Sequence, residues 1–261
     1  MMDFSVDGII NPDMMDLISK NITNRCVMTK SKRETRWGVL AIPQYRRKEF
    51  DQLVPTLNFE VVEQELSEVE EKLLRVMGAM LESFDFNRKT IKNAMNYGFY
   101  GDYSGFVSPG YVNFGAADKK IFDQCEFVDA IESLYYTNKL IDVFGADFDV
   151  EESLSIIAIL NAVSARSVLD SYRLSGDEGH LSIQEIALLA RMRETSVRNA
   201  AAPSGKTPLE TQKHNGLTIV MAGEAERWLS ERRGFQATTL PCDEQERRAL
   251  ANALENWVLT E

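Results

Sequence analysis

The chain has 261 residues, of which 44% are hydrophobic and 26% are charged, and its formal net charge at pH 7 is −11. This composition predicts a globular protein with an ordinary buried core, and it excludes a disordered chain. No stretch approaches the roughly 18 apolar residues that a membrane span needs, and the first residues lack the pattern of a signal peptide, so we expect a cytoplasmic protein with no membrane contact.

The charge is distributed unevenly along the sequence. Residues 20–48 contain nine cations and one anion, whereas residues 49–180 contain 24 acidic and ten basic side chains. Residues 191–213 are again basic, with five cations and two anions. Because phosphate binding depends on the local field, the acidic total does not exclude a nucleic acid partner.

The first part of the chain, residues 1–174, is predicted to form a mostly helical N-terminal domain that senses a ligand, dimerises or binds a protein partner. Residues 36–42 and 57–62 are short, alternate in polarity and are rich in β-forming side chains, which predicts two strands. Capping and apolar spacing predict three helices: Ser67 to about Phe84, with Ser67 and Glu70 as a capping box; 127–144, ended by Gly145; and 150–172.

An aromatic and glycine-rich segment lies between the first two predicted helices. Residues 97–115 contain seven aromatic side chains and five glycines, which favours hairpins or an ordered loop over a helix. Such aromatic rings more often fill a core or a protein interface than stack on bases. No cluster of cations interleaves them, so we favour the structural role.

The glycine-containing segment 175–180 predicts a boundary before a C-terminal domain at residues 181–261. There, Ser182 followed by Glu185 forms a capping box that predicts the start of a helix, and Ala187 near its middle would let a second helix approach closely. Met192 is expected in the turn and Val197 on the inner face of the second helix. This spacing predicts a helix-turn-helix.

The second helix of this motif carries polar side chains suited to reading a duplex. Arginine can donate two hydrogen bonds to guanine, asparagine can pair with adenine, and serine or threonine can hold phosphate at a helix N-terminus. The expected DNA-binding residues of this helix are Arg193, Glu194, Thr195, Ser196, Arg198 and Asn199.

Two β-prone runs surround Asn215-Gly216, the strongest short-range signal for a hairpin turn. A hairpin directly after the second helix would form a wing, from which Lys206, Lys213 and His214 could reach the DNA backbone. A further helix over 223–235 is expected to turn Ala225, Trp228 and Leu229 inward and to stop at Gly234.

Residues 181–235 resemble the winged helix-turn-helix superfamily, in particular the small modules of bacterial regulators and mobile-element proteins. The resemblance implies that the helix from Arg193 or Glu194 to Ala201 lies in the major groove of duplex DNA. The chain departs from the family pattern at Arg191, where glycine is usual in the turn, and at Arg193, where a capping serine or threonine is usual. The expected fold class is therefore mainly α with small β elements (α+β), with a helical N-terminal domain followed by a winged helix-turn-helix.

We therefore expect a DNA-binding transcriptional regulator, and a homodimer is favoured by the last helix. Asp243 and Glu246 can cap that helix, and its apolar stripe could pack on the wing or on a second copy. The stripe consists of Leu250, Ala253, Leu254, Trp257 and Val258. The alternative is an adaptor or inhibitor protein, for example a defence or toxin-neutralising component, whose acidic N-terminal domain binds a protein partner while the winged fold is a scaffold.

An enzyme is not expected, and neither a cofactor nor a metal ion is predicted. The two histidines, His180 and His214, do not make a metal site or a catalytic triad by themselves. Gly205-Lys206-Thr207 lacks the upstream glycine of a phosphate-binding loop. The three cysteines, Cys26, Cys125 and Cys242, are far apart without a CxxC pair, which argues against a disulfide framework or a zinc ribbon.

Overall fold

The computed structural model describes residues 42–77, 87–109, 120–122, 126–127, 130–131, 133–135, 138, 153–176, 178–202, 208–214 and 216–259. The predicted strand at 36–42, apart from Ile42, lies outside the described residues. The same is true of the basic residues before position 42, of Cys26 and Cys125, and of the predicted helix end at Gly145.

Within the described residues the chain is mostly helical with two small antiparallel sheets, as the predicted α+β class requires. The helices are α1 (Arg47–Leu53), α2 (Phe59–Met77), α3 (Arg88–Tyr100), α4 (Leu154–Ser175), α5 (Ile183–Ala190), α6 (Glu194–Ala200), α7 (Ala222–Ser230) and α8 (Glu244–Leu259). The strands are β1 (Val107–Pro109), β2 (Lys120–Phe122), β3 (His180–Ser182), β4 (Gln212–His214) and β5 (Leu217–Met221). Short 3-10 helices cover Gln44–Arg46, Val54–Thr56 and Ser104–Phe106.

Helix α2 begins at Phe59, so its predicted start at Ser67 is wrong. The Asn58 side chain accepts a hydrogen bond from the backbone amide of Val61 at 3.0 Å and satisfies a donor of the first turn. Ser67 lies inside the helix, where its hydroxyl donates to the carbonyl of Glu63 at 2.8 Å. The described part of α2 ends at Met77, before the predicted end near Phe84.

The predicted strand at 57–62 is also wrong, because α2 covers most of it. Val62, Leu66 and Val69 are buried at helical spacing and form the inner stripe of α2. The cap at Asn58 and this stripe outweigh the β propensity of the valines, a preference that is small and dependent on context.

Helix α3 covers Tyr97 to Tyr100, which we had predicted to be part of a loop or hairpin. Gly101 ends α3 in the left-handed conformation, with a φ of 65°. Further on, strand β1 lies within the predicted segment and pairs in antiparallel register with β2, which lies beyond it, while residues 110–115 are outside the described residues. The rings of Phe106 and Tyr97 each lie edge-on to that of Phe127, with centroids 5.1 and 5.4 Å away, so these aromatic residues fill the core as expected.

Helical positions recur between residues 126 and 138, a range that overlaps the helix predicted at 127–144. Their buried residues follow helical spacing: Phe127, Ala130, Ile131 and Leu134. Helix α4 begins at Leu154, later than the predicted start at Val150, because the Ser153 side chain accepts a hydrogen bond from the amide of Ile156.

Helix α4 is the longest described helix and contributes to two hydrophobic clusters. Its N-terminal half, to Val163, lies in a first cluster with α1, α2, α3 and the residues near 130. Ala165, Val168 and Leu169 lie in a second cluster with α5, α6, β5 and α7. By length and composition α4 could cross a membrane, so the expectation that no stretch is apolar enough for a span is wrong, but 94% of its most apolar window is buried inside the protein.

The C-terminal sheet has the strand order β3-β5-β4, with β5 in the centre and both pairings antiparallel. Helix α8 packs on α4 and β2, and Leu250 and Leu254 lie fully buried in the first cluster. We had expected this stripe to pack on the wing or on a second copy, and these two residues are instead covered by the helical core of their own chain.

Candidate nucleic-acid interface

Helix α5 starts with the predicted capping box. The Ser182 hydroxyl accepts a hydrogen bond from the Glu185 amide at 3.2 Å, and a Glu185 carboxylate oxygen accepts one from the Ser182 amide at 2.7 Å. Every residue of α5 except Gln184 is buried, including Ala187. The first helix of the predicted motif is therefore a fixed, buried support.

The turn after α5 is built on Arg191, which adopts the left-handed conformation with a φ of 53°. Its amide donates to the carbonyl of Leu188 at 3.0 Å, and the Met192 amide donates to that of Ala187 at 2.9 Å. This pair of hydrogen bonds defines a Schellman motif, which usually takes glycine at this position. The turn thus has its usual geometry, with arginine as the unusual residue.

Long-range contacts hold the Arg191 side chain in place. Its Nη2 donates to the carbonyl of Leu57 at 2.8 Å, and its Nη1 donates to the hydroxyl of Tyr100 at 3.3 Å. The guanidinium also lies over the Tyr100 ring, 5.3 Å from the centroid. The turn is therefore attached to the helical part of the chain that contains α2 and α3.

Helix α6 turns Val197 into the second cluster, as predicted. On its outer face Thr195, Arg198 and Asn199 are exposed, and Arg193 at the helix start is exposed as well. Ser196 is half-buried. Four of the six residues predicted on this helix thus form one solvent-facing polar surface.

Glu194 does not belong to that surface, since only 8% of the residue is exposed. Its carboxylate pairs with Arg198 one turn later, accepting hydrogen bonds from Nε at 2.9 Å and from Nη2. The Arg198 side chain remains 56% exposed. The predicted exposure of Glu194 is wrong, and its buried carboxylate instead pairs with Arg198.

The N-terminal end of α6 is capped by a residue from another helix. Arg193 makes no side-chain cap, and the Glu194 amide donates instead to Oδ1 of Asp51, at 3.0 Å. Asp51 lies in α1, so a distant part of the chain supplies the capping side chain that the sequence lacks at Arg193. An anion already occupies this helix end, which leaves the Glu194 amide unavailable to a phosphate.

The predicted hairpin is formed by β4 and β5, with Gly216 in the left-handed conformation at a φ of 78°. Lys213 and His214 are exposed on β4, and the Lys213 ammonium donates to the Thr218 hydroxyl at 2.6 Å. Lys206 and Asn215 lie outside the described residues. Lys213 and His214 therefore both face solvent on the hairpin.

Helix α7 fixes the base of the hairpin. Ala225, Trp228 and Leu229 face inward as predicted, although the helix ends at Ser230, before the predicted stop at Gly234. The chain leading to β4 is held by Glu224, which accepts from the Glu210 amide at 2.9 Å. Arg227 donates to the carboxylate of Glu224 and lowers its pKa.

Sequence reasoning missed three residues of this region: Asp51, Leu57 and Tyr100. The helical spacing of Phe50 and Val54 could have revealed α1 as an amphipathic element. No local pattern pairs Asp51 with Glu194, because the contact joins residues that are far apart in sequence.

No metal site accompanies this surface in the part of the chain that the structure describes: no group of three or more His, Cys, Asp or Glu side chains could hold an ion. The rings of His180 and His214 have centroids 5.8 Å apart, and two histidines do not complete such a group.

Comparisons with known proteins give the chain no relative. No protein family, curated protein or solved structure matches it.

Proposed function

We propose that the protein is a DNA-binding transcriptional regulator that reads duplex DNA with the outer face of α6. The observation that carries this proposal is the polar face of Thr195, Arg198 and Asn199 on a short helix supported by the buried helix α5. These side chains can bond the edges of bases in the major groove.

The elements around α6 support the same function. The hairpin β4–β5 follows α6 and presents Lys213 and His214 on its exposed strand β4, in the order expected for a winged helix-turn-helix. Lysine and histidine side chains at such positions can donate hydrogen bonds to backbone phosphates and fix the register of the protein on the duplex. We therefore propose that residues 181–235 function as a winged helix-turn-helix.

The proposal includes a homodimer that reads two half-sites about one helical turn apart. Leu250 and Leu254 do not supply its interface, because they are buried within the chain. The dimer would have to use another surface, and sedimentation of the protein with and without a two-site duplex measures its formation.

Fluorescence anisotropy of the full chain with random-sequence and genomic duplexes tests the function. Binding should weaken steeply as salt increases, because cations that contact phosphates release counterions. In Arg198→Ala, we expect discrimination between the preferred and substituted base pairs to fall by about 1 to 3 kcal/mol.

Arg248→Ala is the matched control for this variant. Arg248 donates from Nε to Glu244 at 3.0 Å, in the same i,i+4 arrangement that joins Arg198 to Glu194, but it lies on α8. The control should keep the base preference of the wild type. Equal preference in wild type and Arg198→Ala would overturn the assignment of α6 as the reading helix.

The second candidate function is a protein-binding adaptor or inhibitor. The pairing of Arg198 with Glu194 and the occupation of the helix end by Asp51 favour it, because both place carboxylates beside the surface that would meet DNA phosphates. Duplex binding that is absent, or independent of salt, would support the adaptor and contradict the regulator.

A further inference from the structure

Helix α1 is fixed against the N-terminal end of α6. Asp51 accepts the hydrogen bond from the Glu194 amide at 3.0 Å, and Phe50 anchors α1 in the first hydrophobic cluster. The chain that follows α1 is held by Arg191, whose Nη2 bonds the Leu57 carbonyl at 2.8 Å. These contacts make α1 a rigid neighbour of the proposed reading helix.

Two cations of α1 flank Asp51. Arg47 and Lys48 precede Asp51 by four and three residues, the spacing at which helical side chains are surface neighbours, with Cβ atoms about 5 to 6 Å apart. Both are exposed, and no ion pair in the described part of the chain engages either of them. Arg46 differs, because its side chain is mostly buried and bonded to Glu49.

A third exposed cation lies on the other side of the same contact. Arg193 directly precedes Glu194, and it has no ion-pair partner among the described residues. Tyr45, which is 78% exposed, lies just before α1, and a phenol hydroxyl can also bond a phosphate. Three exposed cations from two elements that are distant in sequence thus lie beside the end of α6, together with the carboxylates of Asp51 and Glu194.

We propose that Arg47, Lys48 and Arg193 form a phosphate clamp that binds the DNA backbone beside the major groove entered by α6. This inference rests on the proposed function and adds a second contact surface to it. Asp51 already accepts the hydrogen bond of the Glu194 amide at the end of α6. The DNA backbone on that side is therefore bound by side chains. The clamp strengthens binding to duplexes of any sequence, since phosphate contacts carry no base information.

The double variant Arg47→Gln/Lys48→Gln in the full chain tests the clamp by anisotropy with a duplex across a salt series. Losing two phosphate contacts should reduce the slope of log affinity against log salt by about 2, since each contact contributes about 0.9. We expect affinity at physiological salt to fall roughly tenfold, with base preference unchanged. The charge-keeping swap Arg47→Lys/Lys48→Arg should preserve the slope and show that the surface tolerates substitution.

The matched control is Lys89→Gln/Arg248→Gln, which removes the same charge from exposed positions on α3 and α8. If Arg47→Gln/Lys48→Gln has the same salt slope as this control, the clamp is wrong. Binding that depends on Arg198 would in that case still support the regulator. If the wild type binds no duplex, both proposals fail. Tighter binding to the single strand of the same sequence than to the duplex would also overturn the clamp.

Discussion

At the scale of single residues, Arg191 combines a left-handed backbone with long-range side-chain contacts. An arginine in this conformation costs roughly 1 to 2 kcal/mol relative to an ordinary helical one. The hydrogen bonds to Leu57 and Tyr100 oppose that cost. Arg191, where the resembled family usually has glycine, therefore attaches the motif to the helical core.

Two substitutions separate the backbone cost from the side-chain contacts. Arg191→Ala and Arg191→Gly both lose the contacts to Leu57 and Tyr100, but only glycine removes the left-handed strain. We expect Arg191→Gly to be more stable than Arg191→Ala by about 1 kcal/mol, measured by urea unfolding.

The same pair of substitutions at Arg248 gives the control. Arg248 lies in the interior of α8 and is exposed, so glycine should be less stable than alanine there by about 1 kcal/mol. The order of the two variants should thus reverse between the sites. If the alanine variant is the more stable one at position 191 as well as at position 248, the left-handed turn is contradicted.

At the scale of elements, α6 depends on α1 for its N-terminal cap. Asp51→Ala removes the acceptor from the Glu194 amide, and we expect a loss of about 1 kcal/mol in the free energy of unfolding, as for other helix caps. Asp51→Asn keeps a side-chain oxygen and should lose less. Hydrogen exchange of the Glu194 amide should accelerate in Asp51→Ala.

Asp243→Ala serves as a comparison for this prediction. Asp243 caps α8 locally, accepting from the amides of Gln245 and Glu246 at 2.9 and 3.1 Å. Its loss should also destabilise the protein while leaving exchange at Glu194 unchanged. Equal exchange at Glu194 in wild type and Asp51→Ala would show that α1 does not cap α6.

Elements with strong local signals were predictable from the sequence. The Ser182 and Glu185 capping box gave the start of α5, and Asn215-Gly216 gave the hairpin β4–β5, because both signals act over a few residues. The inward position of Val197 followed from helical spacing alone.

Elements determined by distant contacts were not predictable. Gly98 suggested a loop, yet it lies within α3 where that helix crosses α4, and a Cβ atom there would come within 3.1 Å of the Ala162 Cβ. The glycine thus permits close approach of two helices. The sequence also did not predict the capping of α6 by Asp51, because only tertiary packing brings Asp51 and Glu194 together.

At the scale of the whole molecule, α4 contributes to both hydrophobic clusters and carries a buried polar network. Asp170 of α4 accepts hydrogen bonds from Tyr97 at 3.0 Å and from Thr238 at 2.7 Å. Arg166, also fully buried, donates to the carbonyls of Gly98 and Gln236. The network therefore connects α3 and the segment after α7 through α4.

Burial raises the pKa of Asp170 above its ordinary value, despite the opposing effect of Arg166 and the hydrogen bonds from Thr238 and Tyr97. Since the folded pKa exceeds the unfolded one, the protonated carboxyl stabilises the fold fully below about pH 4. That contribution is lost as pH rises through the folded pKa.

The stability of wild type relative to Asp170→Asn should therefore be highest at the acidic end and should decrease as pH rises above about 4, because the amide stays neutral while the carboxyl ionises. Urea unfolding of both proteins over a pH series measures this difference, and each unit of pKa elevation corresponds to about 1.4 kcal/mol. The same comparison with Asp102→Asn, at an exposed carboxylate, corrects for the loss of one acidic group. If the difference instead grows with pH, the buried carboxylate stabilises the fold through its charge, and the attraction of Arg166 together with the ion pair to Arg173 would outweigh desolvation.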